Sequence, residues 1–271
     1  MKPEYSRLLA SVGLAALLSW AQTAPALAAA VAPSLGTAGS YAVLGTNSIP
    51  TVGTVTCTTS TINGDVGSTF TSITNTGCTI TGAVNAPVAG SVVTDFNNAY
   101  SALDTLNPTC DGVVPTISTT LPPGVYCSAA GTTIGSGVIF TLTGTASDVW
   151  VFKIGTGGSG ALTGNSIQVV MGGTALACNV YWRTAQAATM TDSSFIGTIL
   201  AGSSISLTRG NYLGRALAKT DVTVTNEAPM TFAGCSGPLI APIPTLSGSG
   251  MIMLVALLAL LGCAAIRMLA T

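Results

Sequence analysis

One beat in this sequence limits its possible folds more than any other feature. A small hydroxyl, an apolar residue and a threonine return as TMT at 189–191, SLT at 206–208 and TVT at 223–225. The closing threonine recurs every 17 residues, from Thr191 to Thr208 to Thr225. TLTGTA and ALTGNS place Thr143 and Thr163 in the same role, 20 residues apart. The step from Thr163 to Thr191 is 28 residues; QVVMGGTALAC at 168–178 reads as an 11-residue insertion whose removal restores 17. Each unit carries a second apolar run: VWVFKI, VYWRTA, FIGTIL, YLGRAL. A period of about 17–20 residues with turns inside each unit fits one coil of a parallel β-solenoid with three short strands.

Side chains alternate across a strand. On this reading Leu142, Leu162, Met190, Leu207 and Val224 point into the coil. Thr141 and Thr143, Ala161 and Thr163, Thr189 and Thr191, Ser206 and Thr208, and Thr223 and Thr225 point out. Coils stack about 4.7–4.9 Å apart and residues i and i+2 lie about 6.5–7 Å apart, so the outward groups form a grid. TIN at 61–63 and TIT at 79–81 extend it. Threonine is a good exposed strand residue in its own right. An ordinary exposed sheet, however, mixes Lys, Glu and Arg into its outer positions, and none of these outward positions is charged. Arg215, on the second apolar run, is expected on a different face.

Both ends read as addresses. Lys2 and Arg7 precede an apolar run, and Ala26-Leu27-Ala28 supplies a small-residue cleavage pattern, so 1–30 is expected to be a secretory signal peptide. The body is then 31–236, followed by a linker at 237–247 and an apolar segment at 248–271. The tail resembles the C-terminal sorting segments of Gram-negative exported proteins: Ile243, Pro244, Thr245, Leu246 and Ser247 open it, and Arg267 follows the apolar run. That resemblance implies a secreted or cell-envelope protein of a Gram-negative-type bacterium, held at least transiently to the membrane by its C-terminal helix. Of seven cysteines, Cys263 lies in the tail; Cys57, Cys78, Cys110, Cys127, Cys178 and Cys235 remain in the body, an even set suited to export. Among the fifteen possible connectivities, locality favours sequential pairing: 57 with 78, 110 with 127, 178 with 235.

One helix interrupts the strands. In 91–106, Val92, Phe96, Ala99, Tyr100, Leu103 and Leu106 fall at three- and four-residue steps, and Pro108 ends the pattern. Around it, in order, stand LGTAGSYAVLG (35–45), INGDVG (62–67), LPPGVY (121–126), VWVFKIG (149–155), ACNVYW (177–182) and GRALA (214–218). This ordered set resembles the bacterial and fungal ice-binding proteins built on a discontinuous β-solenoid. The resemblance implies an all-β fold: a right-handed parallel β-solenoid of roughly triangular section with one long α-helix packed along it. It implies an ice crystal surface as partner, met through a face that carries Thr, Ala or Gly, any residue, then Thr or Asn. TGNS at 163–166 and TRGN at 208–211 come near that motif, and Asp192, Arg209 and Glu227 sit beside the grid. The residues expected to meet ice are Thr141, Thr143, Thr163, Thr189, Thr191, Ser206, Thr208, Asn211, Thr223 and Thr225.

Other chemistries are poorly provided for. The chain is 6% charged with net charge −1, so no field steers nucleic acid to it. It has no histidine, which excludes Ser-His and Cys-His catalysis. No Cys-x-x-Cys occurs, so neither metal nor cofactor is expected. GTGGSG at 155–160 follows a strand but opens no helix, and reads as a solenoid corner rather than a nucleotide site. Asp65 reads as a turn cap. The carboxylates are thinly spread, so no enzyme is expected. The alternative is a cell-surface adhesin or structural solenoid, with Trp150, Tyr181, Trp182 and Tyr212 available to stack on sugars. The body is expected to be monomeric.

Overall fold

Inward–outward alternation organises the body into coils. The computed structural model describes residues 29–46 and 53–231. The leader ahead of residue 29, Cys235, the sorting motif at 243–247 and the apolar tail lie outside them. In chain order the strands are β1 (Tyr41–Gly45), β2 (Val55–Thr58), β3 (Thr61–Asn63), β4 (Asp65–Ser68), β5 (Thr74–Thr76), β6 (Thr79–Ile80) and β7 (Val84–Asn85). Helix α1 (Gly90–Thr105) follows. Then come β8 (Gly112–Val113), β9 (Thr119–Leu121), β10 (Gly124–Ser128), β11 (Thr132–Ile134), β12 (Ile139–Gly144), β13 (Trp150–Ile154), β14 (Leu162–Asn165) and β15 (Gln168–Gly173). The last four are β16 (Val180–Thr184), β17 (Ala188–Ala201), β18 (Ile205–Ala218) and β19 (Val222–Thr231). Every pairing is parallel, as a solenoid requires.

Three faces result. The first stacks β11, β14, the opening residues of β17, β18 and β19, then β2 and β5. The second stacks β9, β12 and β15, then the middle of β17 and β18, the end of β19, β3 and β6. The third stacks β8, β10, β13 and β16, the ends of β17 and β18, then β1, β4 and β7. The coils made first in sequence therefore sit on those made last: β1 pairs with β18, and β2 and β3 with β19. Helix α1 carries the chain back to the opposite end. Its 16 residues cover about 24 Å, or roughly five coil spacings.

The helix lies on the third face, whose strands are buried on both sides. Val92, Phe96, Ala99 and Leu103 form its apolar stripe and pack with Leu44, Val125, Val151, Tyr181, Leu200 and Leu217. Scarce cations pin it there. Arg183 Nη2 meets Asp104 at 2.8 Å and lies over the Tyr100 ring. Buried Lys153 donates to the Asn107 carbonyl at 2.6 Å, and desolvation pulls its ammonium below the usual lysine value. Arg215 is on this face as well, but it is buried: its Nε donates to the Gly39 carbonyl at 3.0 Å. Burial brings its guanidinium down to about 10, which leaves it cationic at neutral pH.

Inside the coils an aromatic ladder runs along the axis. Tyr126, Phe152, Trp182, Phe195 and Tyr212 follow one another at centroid distances of 5.4, 3.8, 4.8 and 5.7 Å. Trp150 and Trp182 donate their indole N–H groups to the carbonyls of Leu121 and Ile196. All four aromatics considered for sugar stacking are buried. Disulfides join Cys57 to Cys78 and Cys110 to Cys127. Cys178 is disulfide-bonded too; its expected partner, Cys235, falls outside the described residues. Among those residues no helix is long and apolar enough to cross a membrane.

Candidate functional site: a two-rank hydroxyl face

The first face carries two outward ranks. The first rank is Thr133, Thr163, Thr189, Ser206, Thr223, Thr56 and Thr74, each the register partner of the next. The second is Asn165, Thr191, Thr208, Thr225, Thr58 and Thr76. No register shift interrupts either rank. Between them the inward residues Ile134, Met190, Leu207, Val224 and Cys57 are buried and hold the strands down. Gly164 completes this inner row because a side chain there would strike Met190 Sδ at 2.7 Å.

The far edge of the face is set by backbone. The residue after each second-rank position adopts a left-handed conformation: Ser166, Asp192, Arg209 and Asn226 at φ +51°, Thr59 at +49° and Gly77 at +75°. A non-glycine residue there costs on the order of 1 kcal/mol. These five are all the positive-φ non-glycine residues among those described. The same sharp corner is thus repeated rung after rung, ending every strand of the face at the same place. Two corner side chains are charged, and they pair: Arg209 Nε and Nη2 donate to the Asp192 carboxylate at 2.7 and 2.9 Å. That bond holds the Asp192 carboxyl below the usual carboxylate range.

Seven expected positions come together here: Thr163, Thr189, Thr191, Ser206, Thr208, Thr223 and Thr225. Three do not. Thr141 and Thr143 belong to β12, which pairs with β9 and β15 on the second face. Asn211 lies beyond the corner, beside Ser194 on that same face. The segments 61–63 and 79–81 also stack there rather than extending the grid. The cause is shared: threonine suits any exposed strand, so a T-x-T triplet alone does not say which face it is on. The 168–178 segment is no insertion either, because 168–173 is β15, a strand of the second face. Thr163 is therefore the partner of Thr189, and Asn165 that of Thr191. Six members were missed: Thr56, Thr58, Thr74, Thr76, Thr133 and Asn165. The available signal was TCT at 56–58 and TNT at 74–76, the same triplet on the far side of the helix.

The acids are used for holding backbone in place, between coils or within a turn. Asp65 accepts from Ala83 N, Asp95 from Thr37 N and Oγ1, Asp111 from Val125 N, Asp148 from Thr145 N, and Asp221 from Thr54 N and Oγ1. A cleft of about 370 Å³ is lined by Asp111 and Asp148, both engaged in this way. Among the described residues no cluster of His, Cys, Asp or Glu could hold a metal ion. The glycines at 155, 157 and 160 form a stacked corner: a side chain on Gly160 would meet Gly155 Cα at 2.7 Å and the Ala130 carbonyl carbon at 2.8 Å.

These features define a parallel solenoid with one helix-covered face and one uncharged hydroxyl face. Residues 34–229 match the Ice-binding-like family model, and the chain belongs to that family. Residues 241–268 match the IPTL-CTERM motif. An ice-binding protein of Nostoc sp. is 29% identical over 81% of this chain and 84% of its own length. One of Colwellia sp. is 40% identical over 39% of this chain; the aligned stretch spans 40% of that relative. The crystal structure of an ice-binding protein from an Antarctic biological consortium superposes with a TM-score of 0.62 at 29% identity, covering 76% of this chain and 94% of that one. A domain of Shewanella frigidimarina ice-binding protein 1 gives 0.56 at 28% identity, covering 74% and 98%.

Proposed function

We propose that this chain adsorbs to ice through its first face and so inhibits crystal growth and recrystallisation. The observation that carries the reading is the pair of in-register ranks, six rungs long, without a charged member. Threonine is stiff at χ1, so holding it in a lattice costs little entropy. Its methyl and hydroxyl together order nearby water, and ordered water merges with a crystal where a charge would keep its own hydration shell. One such contact is weak; a dozen held on one rigid sheet act as a unit. The body works as a monomer, without metal or cofactor.

The chain is secreted or displayed at the cell surface, and its tail at 248–271 holds it to the membrane until processing. The IPTL-CTERM match supports that reading. Deleting 243–271 releases the body to the medium; an unchanged location would rule the tether out.

The test of function is thermal hysteresis and recrystallisation inhibition on the body, 31–236. Both are expected. A folded sample that shows neither would sink the proposal.

A further inference from the structure

The end of the hydroxyl face at β5 is built differently from the rest. In the neighbouring rungs a buried side chain anchors the strand from inside, Val224 in β19 and Cys57 in β2. In β5 the inward position is Asn75, and all three residues of the strand are exposed. Its backbone pairs with β2 alone among the described residues. Ile73, just ahead of the strand, is partly buried against the core, but a three-residue edge strand with no buried residue of its own belongs to the low-stability end of a structure and opens locally. Here a covalent bond stands where the apolar anchor is missing. Cys57 is the central residue of its rung, and it is bonded to Cys78, two positions after Thr76. Asn75 completes the clamp: its Oδ1 accepts from Cys78 N at 2.8 Å and its Nδ2 donates to the Cys78 carbonyl at 3.2 Å. Cys78 Sγ also accepts from Ser60 N at 3.3 Å, just past the left-handed corner at Thr59.

We propose that the Cys57–Cys78 disulfide is a positioning device for the ice face: it holds Thr74 and Thr76 in register with Thr56 and Thr58, so that the last rung takes part in adsorption only when the bond is closed. The inference rests on the first face being the one that meets ice. It assigns Thr74 and Thr76 to the binding surface and makes the length of that surface depend on oxidation. The bond forms by loss of two electrons and two protons from the two thiols to the thiol-oxidising machinery of an exported protein's compartment. A chain still in a reducing compartment would carry a shorter face.

The test is a double-mutant cycle read by thermal hysteresis near 0 °C, on variants whose fold is checked by a thermal melt. Cys78→Ser opens the bond while leaving Cys57 in the core; Cys57→Ala with Cys78→Ala is the second route. Thr76→Tyr blocks the last rung in the oxidised protein. Each change alone is expected to lower hysteresis about twofold, and the combination no further, because residues that act as one unit are not additive. Amide exchange at Thr74 and Thr76 should rise in Cys78→Ser while exchange at Thr191 and Thr208 stays unchanged. A multiplicative, roughly fourfold loss in the combination would overturn the proposal, since the bond would then act elsewhere. A silent Thr76→Tyr beside a damaging Thr208→Tyr would also overturn it and leave the ice face intact. Silence at both positions would remove the underlying reading as well.

Discussion

Among the described residues two faces of the same coils carry no helix, and they differ in order. On the first face the outward residues form two ranks of Thr, Ser and Asn in unbroken register. On the second, Ile139, Gln168, Ser194 and Asn211 follow one another, Thr141 stands beside Val170, and Ile196 beside Leu213. There the register of β18 against β19 shifts between Asn211 and Tyr212. Through their middle rungs both faces bury their inward residues equally well: Leu142, Val169, Phe195 and Tyr212 are as enclosed as Leu207 and Val224. The fold thus needs inward alternation and stackable corners. It does not need outward uniformity, because the second face lacks it and is held just as firmly. Uniformity on the first face is surplus to folding, and that surplus is what points to a partner with a repeating surface.

The largest expected effect erases the comparison altogether. Trp182→Ala removes a fully buried ring from the middle of the ladder and should cost about 3–5 kcal/mol. Both faces lose their support, and a thermal melt reads the loss. A change below about 1 kcal/mol would mean that the ladder is not what holds the coils. Next comes the contrast between the faces. Thr208→Tyr sits mid-rank, with Thr191 and Thr225 as neighbours. It should remove most hysteresis while shifting stability by no more than about 0.5 kcal/mol. Val170→Tyr, on the second face, should leave hysteresis intact. The opposite pattern would move the binding surface to the second face. Arg215 does not serve as the control, since it is buried under the 36–40 turn.

A smaller effect concerns the covered face. Asp104→Ala leaves Arg183 and Lys153 without their carboxylate. Because Asp104 is 42% exposed, the cost should be about 1–2 kcal/mol in a urea titration, discounted for solvent screening. Hysteresis should persist at low temperature. Its disappearance would mean that helix docking shapes the hydroxyl face. The smallest effect is on pH. Hydrogen bonds from Thr37 hold the Asp95 carboxyl below its ordinary value, as Arg209 does for Asp192. The stability these groups add is complete above the unfolded carboxylate value, near pH 4, and is lost as pH falls through the lower folded one. Without histidine, the melting temperature should be flat from about pH 5.5 to 8. A step inside that window would contradict the assignment.

Much of this was readable in the residues, and the reasons for the misses are physical. The 17-residue beat of TMT, SLT and TVT gave three rungs because β17, β18 and β19 belong to coils of equal length. Leu142, Leu162, Met190, Leu207 and Val224 were correctly placed inside. The helix was placed within a residue at each end by its apolar stripe and Pro108. Face membership was not readable for Thr141 and Thr143, since a strand's outward pattern is the same on every side of a coil. What tells the faces apart is the left-handed corner after Thr191, Thr208 and Thr225; Asp192 and Asn226 are of types enriched in that conformation, but Arg209 is not, so the residues do not announce it as a repeat. The rungs of β2 and β5 were obscured by topology: Thr56 is paired with Thr223, on the other side of the helix in sequence. The duty of Arg183 and Lys153 as helix anchors, and of Arg215 as the anchor of the 36–40 turn, was hidden because a cation in a mostly apolar strand gives no sign of its partner.

The stacking of β1, β2 and β3 onto β18 and β19 also has a consequence for biogenesis. The first coils to emerge during synthesis have no upper neighbour until the last strand is delivered, well over a hundred residues later. A chain that stops short of β19 can join its two halves only through β1 on β18, and leaves β2 and β3 with an unpaired edge, which is the surface that aggregation and proteolysis recognise. Completion of the molecule is therefore checked by its own geometry. Only a product that reaches β19 can complete the seam between its first coils and its last.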